Sequence, residues 1–255
     1  PEYIKDEYLL NIHDENYLDN LFNLRLTPRE ERISGFVHSE QLIRRERRIM
    51  EGTRLCAEEA FQSKVALNIA GGTHHAYSDR GEGFCLLNDQ AISAQYLLDA
   101  NKVKSVLIID LDVHQGNGTA SIFKDEPRVF AFSMHGKNNY PLQKERSDLD
   151  VELKDGIEDD EYLYLLQASL VKILSEFKPE FVFYQCGVDI IQTDKLGKLN
   201  ISLEGARQRD EIVFEYVRQL CVPVVCTMGG GYSPRIADIV NAHTNTFKAA
   251  QKILC

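Results

Sequence analysis

The residues best suited to chemistry lie in the stretch Asp110-Leu111-Asp112-Val113-His114-Gln115-Gly116-Asn117-Gly118. They follow Val106-Leu107-Ile108-Ile109, an apolar run that reads as a buried strand. In extended backbone, residues two apart share a face. Asp110, Asp112 and His114 therefore project to one side, and Leu111 and Val113 to the other. A carboxylate and a neutral imidazole at that spacing suit one divalent cation. Taken alone, the same residues also fit solvated turn acids and a histidine packed at a strand end. Asp189, in Gly187-Val188-Asp189, follows another apolar run and is the candidate third ligand, or else a loop acid before Thr193-Asp194. Three protein ligands leave a coordination position open, as catalytic rather than structural sites do. Two carboxylates and one imidazole accept Zn²⁺ or Fe²⁺.

Two further groups end strands in the same way. His74-His75 follows Gly71-Gly72, and beside an activated water the two rings could divide proton work. Asp110 is the natural partner of one of them. Tyr232 follows Gly229-Gly230-Gly231 and could donate a hydrogen bond to an oxyanion, although a core tyrosine fits as well. Metal, water, histidine pair and phenol together describe hydrolysis of an amide or ester.

The elements that must hold these residues follow from hydrophobic pattern. Strands are expected at 65–69, 105–109, 129–132, 180–184 and 222–226. Helices are expected between them: a short one after Asp14, a long one capped by Ser39 and running to Phe61, then 88–100, 159–177 and 203–220. A last helix is expected to start at Ser233-Pro234. A loop is expected through Thr27-Pro28 and Ser34-Gly35. Continuous apolar strands alternating with helices imply a single α/β domain, a mainly parallel sheet covered on both faces. Ligands in such folds bind beyond the carboxyl ends of the strands, where His74, His75, Asp110, Asp112, His114, His135, Asp189 and Tyr232 all fall.

Bulk composition narrows the classes. The formal charge of −10, from 29 basic and 39 acidic residues, argues against direct nucleic-acid binding. No apolar run is long enough to span a membrane. The cysteines, Cys56, Cys85, Cys186, Cys221, Cys226 and Cys255, form no Cys-x-x-Cys pair and read as buried reduced thiols of a cytoplasmic protein, or a nuclear one in a eukaryote. The Arg44-Arg45-Glu46-Arg47-Arg48 run reads as a solvated helix face.

Five motifs in order resemble the zinc-dependent histone deacetylase family. They are Gly71-Gly72-Thr73-His74-His75-Ala76, Gly81-Glu82-Gly83-Phe84-Cys85, Asp110 to Gly118, Gly187-Val188-Asp189 with Asp194-Lys195-Leu196-Gly197, and Gly229-Gly230-Gly231-Tyr232. The wording His-Gln-Gly-Asn-Gly and Asp-Arg-Gly-Glu-Gly-Phe-Cys is most similar to the class IV branch and its bacterial relatives. The resemblance implies the arginase/deacetylase fold and an acyl-lysine or other acyl-amine substrate. It implies Asp112, His114 and Asp189 as zinc ligands, and His74 and His75 as the proton-transfer pair, with Asp110 beside His74. It implies Gly83, Phe84 and Gly230 as substrate-binding residues, with Tyr232 polarising the scissile carbonyl. It also implies a structural potassium ion at Asp110, Asp112 and Ser133, with backbone oxygens of His114 and Met134.

Two departures qualify the likeness. Asn117 stands where several branches carry an Asp beside the second histidine, so His75 is expected to be less basic; class IV shares the Asn. The family also usually carries a further N-terminal segment, with an early strand and a tunnel rim loop, which this chain, opening on Pro1, is expected to lack. Removal of a long fatty acyl group, deacylation of a polyamine-like amine, and a non-catalytic metal-bound scaffold are the alternatives. Oligomeric state is not legible.

Overall fold

A computed structural model describes residues 1–255. In chain order its elements are α1 (Asp6–Leu10), α2 (Glu15–Phe22), α3 (Pro28–Ser34), α4 (Glu40–Ser63), β1 (Val65–Asn68), α5 (Asp89–Asp99), β2 (Val106–Asp110) and α6 (Asn117–Ile122). There follow β3 (Val129–Gly136), β4 (Leu149–Leu153), α7 (Asp159–Glu176), β5 (Phe181–Gln185), α8 (Leu203–Leu220), β6 (Val224–Thr227) and α9 (Ile236–Leu254). The strands form one 6-stranded sheet in the order β1-β6-β5-β2-β3-β4. Every pairing is parallel.

The central strands are apolar on both faces because both faces are covered. Leu107, Ile109, Val182, Tyr184, Val224 and Cys226 join α7, α8 and α9 in one core. Val106, Ile108, Phe181, Phe183 and Val225 join α2, α4 and α5 in the other. Leu111 and Val113 continue the first core beyond the end of β2. The face alternation read from the sequence thus persists into a loop that is no longer strand.

Several helix starts are where the capping residues place them. Asp14, Ser39 and Asn88 accept from the first turns of α2, α4 and α5. Four expectations need correction. The 27–35 loop is the helix α3, set by a capping box between Thr27 and Glu30 and closed by Gly35 at φ 79°. There is a sixth strand, β4, whose Leu-Asp-Val-Glu-Leu alternates because it is the half-exposed sheet edge, unlike the continuous runs of the interior strands. The last helix starts at Ile236 with Arg235 as its cap, because the Ser233 hydroxyl is taken by Thr193 Oγ1 at 2.9 Å. Phe61 and the cysteines are less buried than expected. Phe61 is 41% exposed, with one face on Phe181. All cysteines are free, but Cys221 and Cys255 are exposed at helix C-termini and Cys56 is half-buried.

Candidate active site

The neighbours β2 and β5 lead their chains away in opposite directions across the sheet, β2 toward β3 and β5 toward β6. A crevice opens at such a reversal, beyond the strand ends. Asp112 and His114 enter it after β2, Asp189 after β5, and Gly230 and Tyr232 after β6. His74 and His75 lie in the loop after β1, and α6 begins at Asn117.

Asp112, His114 and Asp189 bring one ligand atom each to within 4.8 Å of one another. His114 Nδ1 lies 3.1 Å from Asp112 Oδ1 and 3.1 Å from Asp189 Oδ2. The other carboxylate oxygens are held by backbone. Gly230 N–H donates to Asp112 Oδ2 at 2.8 Å, and Val113 N–H donates to Asp189 Oδ1 at 2.9 Å. These bonds orient both acids, and their remaining oxygens, Asp112 Oδ1 (which also accepts from His114 N–H at 3.0 Å) and Asp189 Oδ2, both face His114 Nδ1. A Cβ on Gly230 would collide with Asp189, so only glycine brings that N–H so close.

The electrostatics also call for a cation. Burial opposes ionisation of both acids. Asp112 is nevertheless held below the usual carboxylate range by His74 and His114, whereas burial and the Asp112 charge push Asp189 up to about 7. The nearest buried guanidinium, Arg209, is already paired with Asp210 at 2.8 Å. Two buried carboxylates and an imidazole, with one oxygen of each acid turned toward the imidazole nitrogen, fit a divalent metal ion.

The histidine pair is asymmetric. Their ring centroids lie 4.1 Å apart. His74 Nδ1 meets Asp110 Oδ2 at 2.6 Å, and His75 Nδ1 meets Asn117 Oδ1 at 2.6 Å. Burial lowers the His74 pKa, but Asp110 and Asp112 outweigh it and raise the group to about 9. A cation on Asp112 would bring it down from there. His75 is pushed well below its ordinary value by burial and by the neighbouring His74, and a neutral Asn117 returns little.

A cavity of about 280 Å³ opens over these groups. His75, His114, Gly83, Phe84, Tyr140 and Tyr232 line it. The Tyr232 ring stands edge-on to His114, centroids 6.5 Å apart. Burial, then the Asp112 and Asp189 charges, push its phenol up, so it is a neutral O–H donor. Of the substrate-binding residues expected, Gly83 and Phe84 line the cavity, whereas Gly230 sits behind it on Asp112. Asp110 and Ser133 are register partners on β2 and β3, and the Ser133 hydroxyl meets His135 Nδ1 at 2.9 Å.

Three supporting residues escaped the sequence reading. Arg209, fully buried on α8, donates to the carbonyls of Gly187 at 2.6 Å, Leu111 at 3.3 Å and Cys186 at 3.4 Å, gripping both ligand loops from behind. Asp89, at the start of α5, accepts from Gly72 N–H, Thr73 N–H and the Thr73 hydroxyl, fixing the loop that ends in His74. His13 joins that loop to α5: Nδ1 meets the Tyr77 carbonyl at 3.0 Å, and Nε2 accepts from Asn88 N–H at 3.1 Å. The one signal the sequence held was the Arg209-Asp210 pair on the apolar stripe of α8, between Ala206 and Val213.

Comparison with known proteins agrees with this geometry. The histone deacetylase domain family matches residues 1–247. An uncharacterised protein of Picosynechococcus is 42% identical over 242 residues, covering 95% of this chain and 81% of that protein. Histone deacetylase 2 of Arabidopsis thaliana is 34% identical over 241 residues, covering 91% of this chain and 62% of that enzyme, so the chain spans less than two thirds of its length. The crystal structure of an HDAC homologue from Aquifex aeolicus superposes with a TM-score of 0.80 at 26% identity, covering 99% of this chain and 76% of that one. With the family matched over nearly its whole length, the fold shared and the strand-end motifs gathered into one crevice, this chain belongs to the histone deacetylase family, within the arginase/deacetylase superfamily.

Proposed function

We propose that the protein is a metal-dependent hydrolase that removes the acyl group from an acylated lysine. The observation that carries this reading is the convergence of Asp112 and Asp189 on His114, which lines a cavity together with His75 and Tyr232. Zn²⁺ is the ion the reading assigns there, with Fe²⁺ compatible with the same donors. When bound, such an ion supplies Lewis acidity to a water and to the scissile carbonyl.

The chain's own groups divide the remaining work. The Nδ1 of His75 is tied to Asn117, leaving Nε2 for proton transfer. Held neutral by its surroundings, His75 takes a proton from the attacking water and returns it to the leaving amine. His74, paired with Asp110, keeps its proton and stabilises negative charge nearby. Tyr232 donates its phenolic hydrogen to the oxyanion of the tetrahedral intermediate. Gly83, Phe84 and Tyr140 line the approach for the acyl-lysine stem. The same reading assigns a structural K⁺ to Asp110, Asp112 and Ser133 with the carbonyls of His114 and Met134, supported by the adjacency of Asp110 and Ser133 in the sheet.

The phenol provides the test. Tyr232→Phe removes one hydrogen-bond donor to the developing charge, and kcat on an acetyl-lysine peptide is expected to fall about 10²- to 10³-fold, with KM little changed. Full turnover by the variant would remove Tyr232 from the mechanism.

A further inference from the structure

We propose that Glu82 is a positioning residue that acts through Asn117 to decide which nitrogen of His75 carries the proton. The proposal rests on the hydrolase reading above for its catalytic consequence, but its structural content stands apart from turnover.

A carboxamide offers an acceptor oxygen at one end and two donor hydrogens at the other, so an Asn beside a histidine can present either. A carboxylate in the same place would only accept and would fix the ring by itself. Asn117 leaves a choice, and its other neighbours make it. Asn117 Nδ2 lies 3.1 Å from the Tyr77 hydroxyl and 3.3 Å from Glu82 Oε2. The Glu82 carboxylate only accepts, and it is pinned by Arg80 Nε at 2.7 Å and by the Tyr140 hydroxyl at 2.6 Å. The Tyr77 hydroxyl directs its hydrogen to Glu145 Oε1 at 3.1 Å, so its oxygen accepts from Asn117. Both neighbours on that side require donors. Turned the other way, Asn117 would set its carbonyl oxygen against a carboxylate.

Asn117 Oδ1 is thereby committed to His75 Nδ1 at 2.6 Å. An oxygen with no hydrogen can only accept there, so Nδ1 holds the ring proton. Nε2 keeps its lone pair for the cavity, the form a proton acceptor needs. The rest of the same turn confines the ring itself. A Cβ on Gly83, the next residue, would lie 2.7 Å from His75 Cδ2. Tyr140, tethered to Glu82, stands edge-on to the His75 ring with centroids 5.2 Å apart. Glu82 thus anchors both the amide that sets the proton and the phenol that walls the ring.

The test compares the wild-type protein with Glu82→Gln, Glu82→Ala and Glu82→Lys, each loaded with Zn²⁺ and each also metal-free. Long-range ¹H–¹⁵N spectra of ¹⁵N-histidine protein report the His75 tautomer, assigned by its loss in His75→Asn. Glutamine still accepts from Asn117, so Glu82→Gln is expected to keep the Nδ1–H tautomer and most of kcat. Glu82→Ala leaves Asn117 facing only the Tyr77 hydroxyl, which can turn to donate as well as accept; the tautomer is expected to become mixed and kcat to fall about tenfold or more, with KM nearly unchanged. Glu82→Lys puts a donor where an acceptor stood and is expected to turn the amide and favour Nε2–H; it also serves if the alanine variant fails to fold. Retention of the Nδ1–H tautomer in both Glu82→Ala and Glu82→Lys would overturn the proposal whatever the turnover. A wild-type protein inactive on acetyl-lysine peptide but showing these tautomer shifts would count against the hydrolase reading and leave the role of Glu82 standing.

Discussion

At the scale of single residues, two adjacent histidines receive opposite surroundings. Asp110 supplies His74 with a buried negative charge, while Asn117 gives His75 a neutral oxygen. That Asp110 would partner one of the two histidines was legible in the sequence, because all three end strands at the same edge; that it is His74 was implied only by the family resemblance. Also legible was the gathering of Asp112, His114 and Asp189, because Asp112 and His114 are two apart and Asp189 ends a second apolar run, although a loop acid fitted Asp189 as well. The turn at Gly83 was not legible. Its left-handed φ of 51° and its packing on the His75 ring depend on where α3 stands, since Gly83 N–H donates to the Ile33 carbonyl at 3.2 Å. Gly83→Ala is expected to cost about 1–2 kcal/mol for the left-handed backbone. It is also expected to displace His75, lowering kcat more than it raises KM. Unchanged kcat in a variant destabilised by that amount would show that the ring tolerates the extra methyl.

At the scale of elements, the site depends on how two loops are held from behind by α8. Arg209 pins the carbonyls of Leu111 and Gly187, each within two residues of Asp112 or Asp189, and is itself neutralised by Asp210. Asp210 is shared with the Tyr184 hydroxyl at 2.5 Å and the Thr246 hydroxyl at 2.6 Å, which ties α8 to β5 and α9. Arg209→Met would leave Asp210 short of its charged partner and three carbonyls without a donor. Urea unfolding is expected to show a loss of about 3–5 kcal/mol, and zinc affinity is expected to fall about 10- to 100-fold. An equally stable variant with unaltered metal affinity would contradict this role. Sequence pattern found the interior strands and the edge strand β1 because their runs are mostly apolar, and missed β4 because Asp150 and Glu152 interrupt its apolar positions. It placed the start of α9 too early because Ser233 serves a tertiary contact with Thr193 in preference to capping.

At the scale of the whole molecule, one sheet separates two cores, and the site lies where the strand order reverses. The N-terminal segment is locked to the site side through His13. Its Nδ1–H donates to one carbonyl and its Nε2 accepts from a backbone N–H, so protonation would oppose two donors. Burial lowers its pKa to about 4. Above about pH 6.5 the unfolded and folded chains both hold it neutral, and its contribution is complete. Between there and about pH 4 the unfolded chain takes up a proton that the folded chain refuses, so stability falls as pH drops, by up to about 3 kcal/mol. The unfolding free energy of His13→Gln is expected to have a shallower slope than wild type across that window; identical slopes would contradict it. The most direct measurement of the central claim is acetate release from an acetyl-lysine peptide by protein stripped with a chelator and titrated with Zn²⁺. The expected result is no turnover when stripped, and recovery that saturates at one equivalent in the wild type and fails in Asp189→Asn. Turnover that survives metal removal, or one tightly bound equivalent with no hydrolysis of any acyl-lysine peptide, would contradict it.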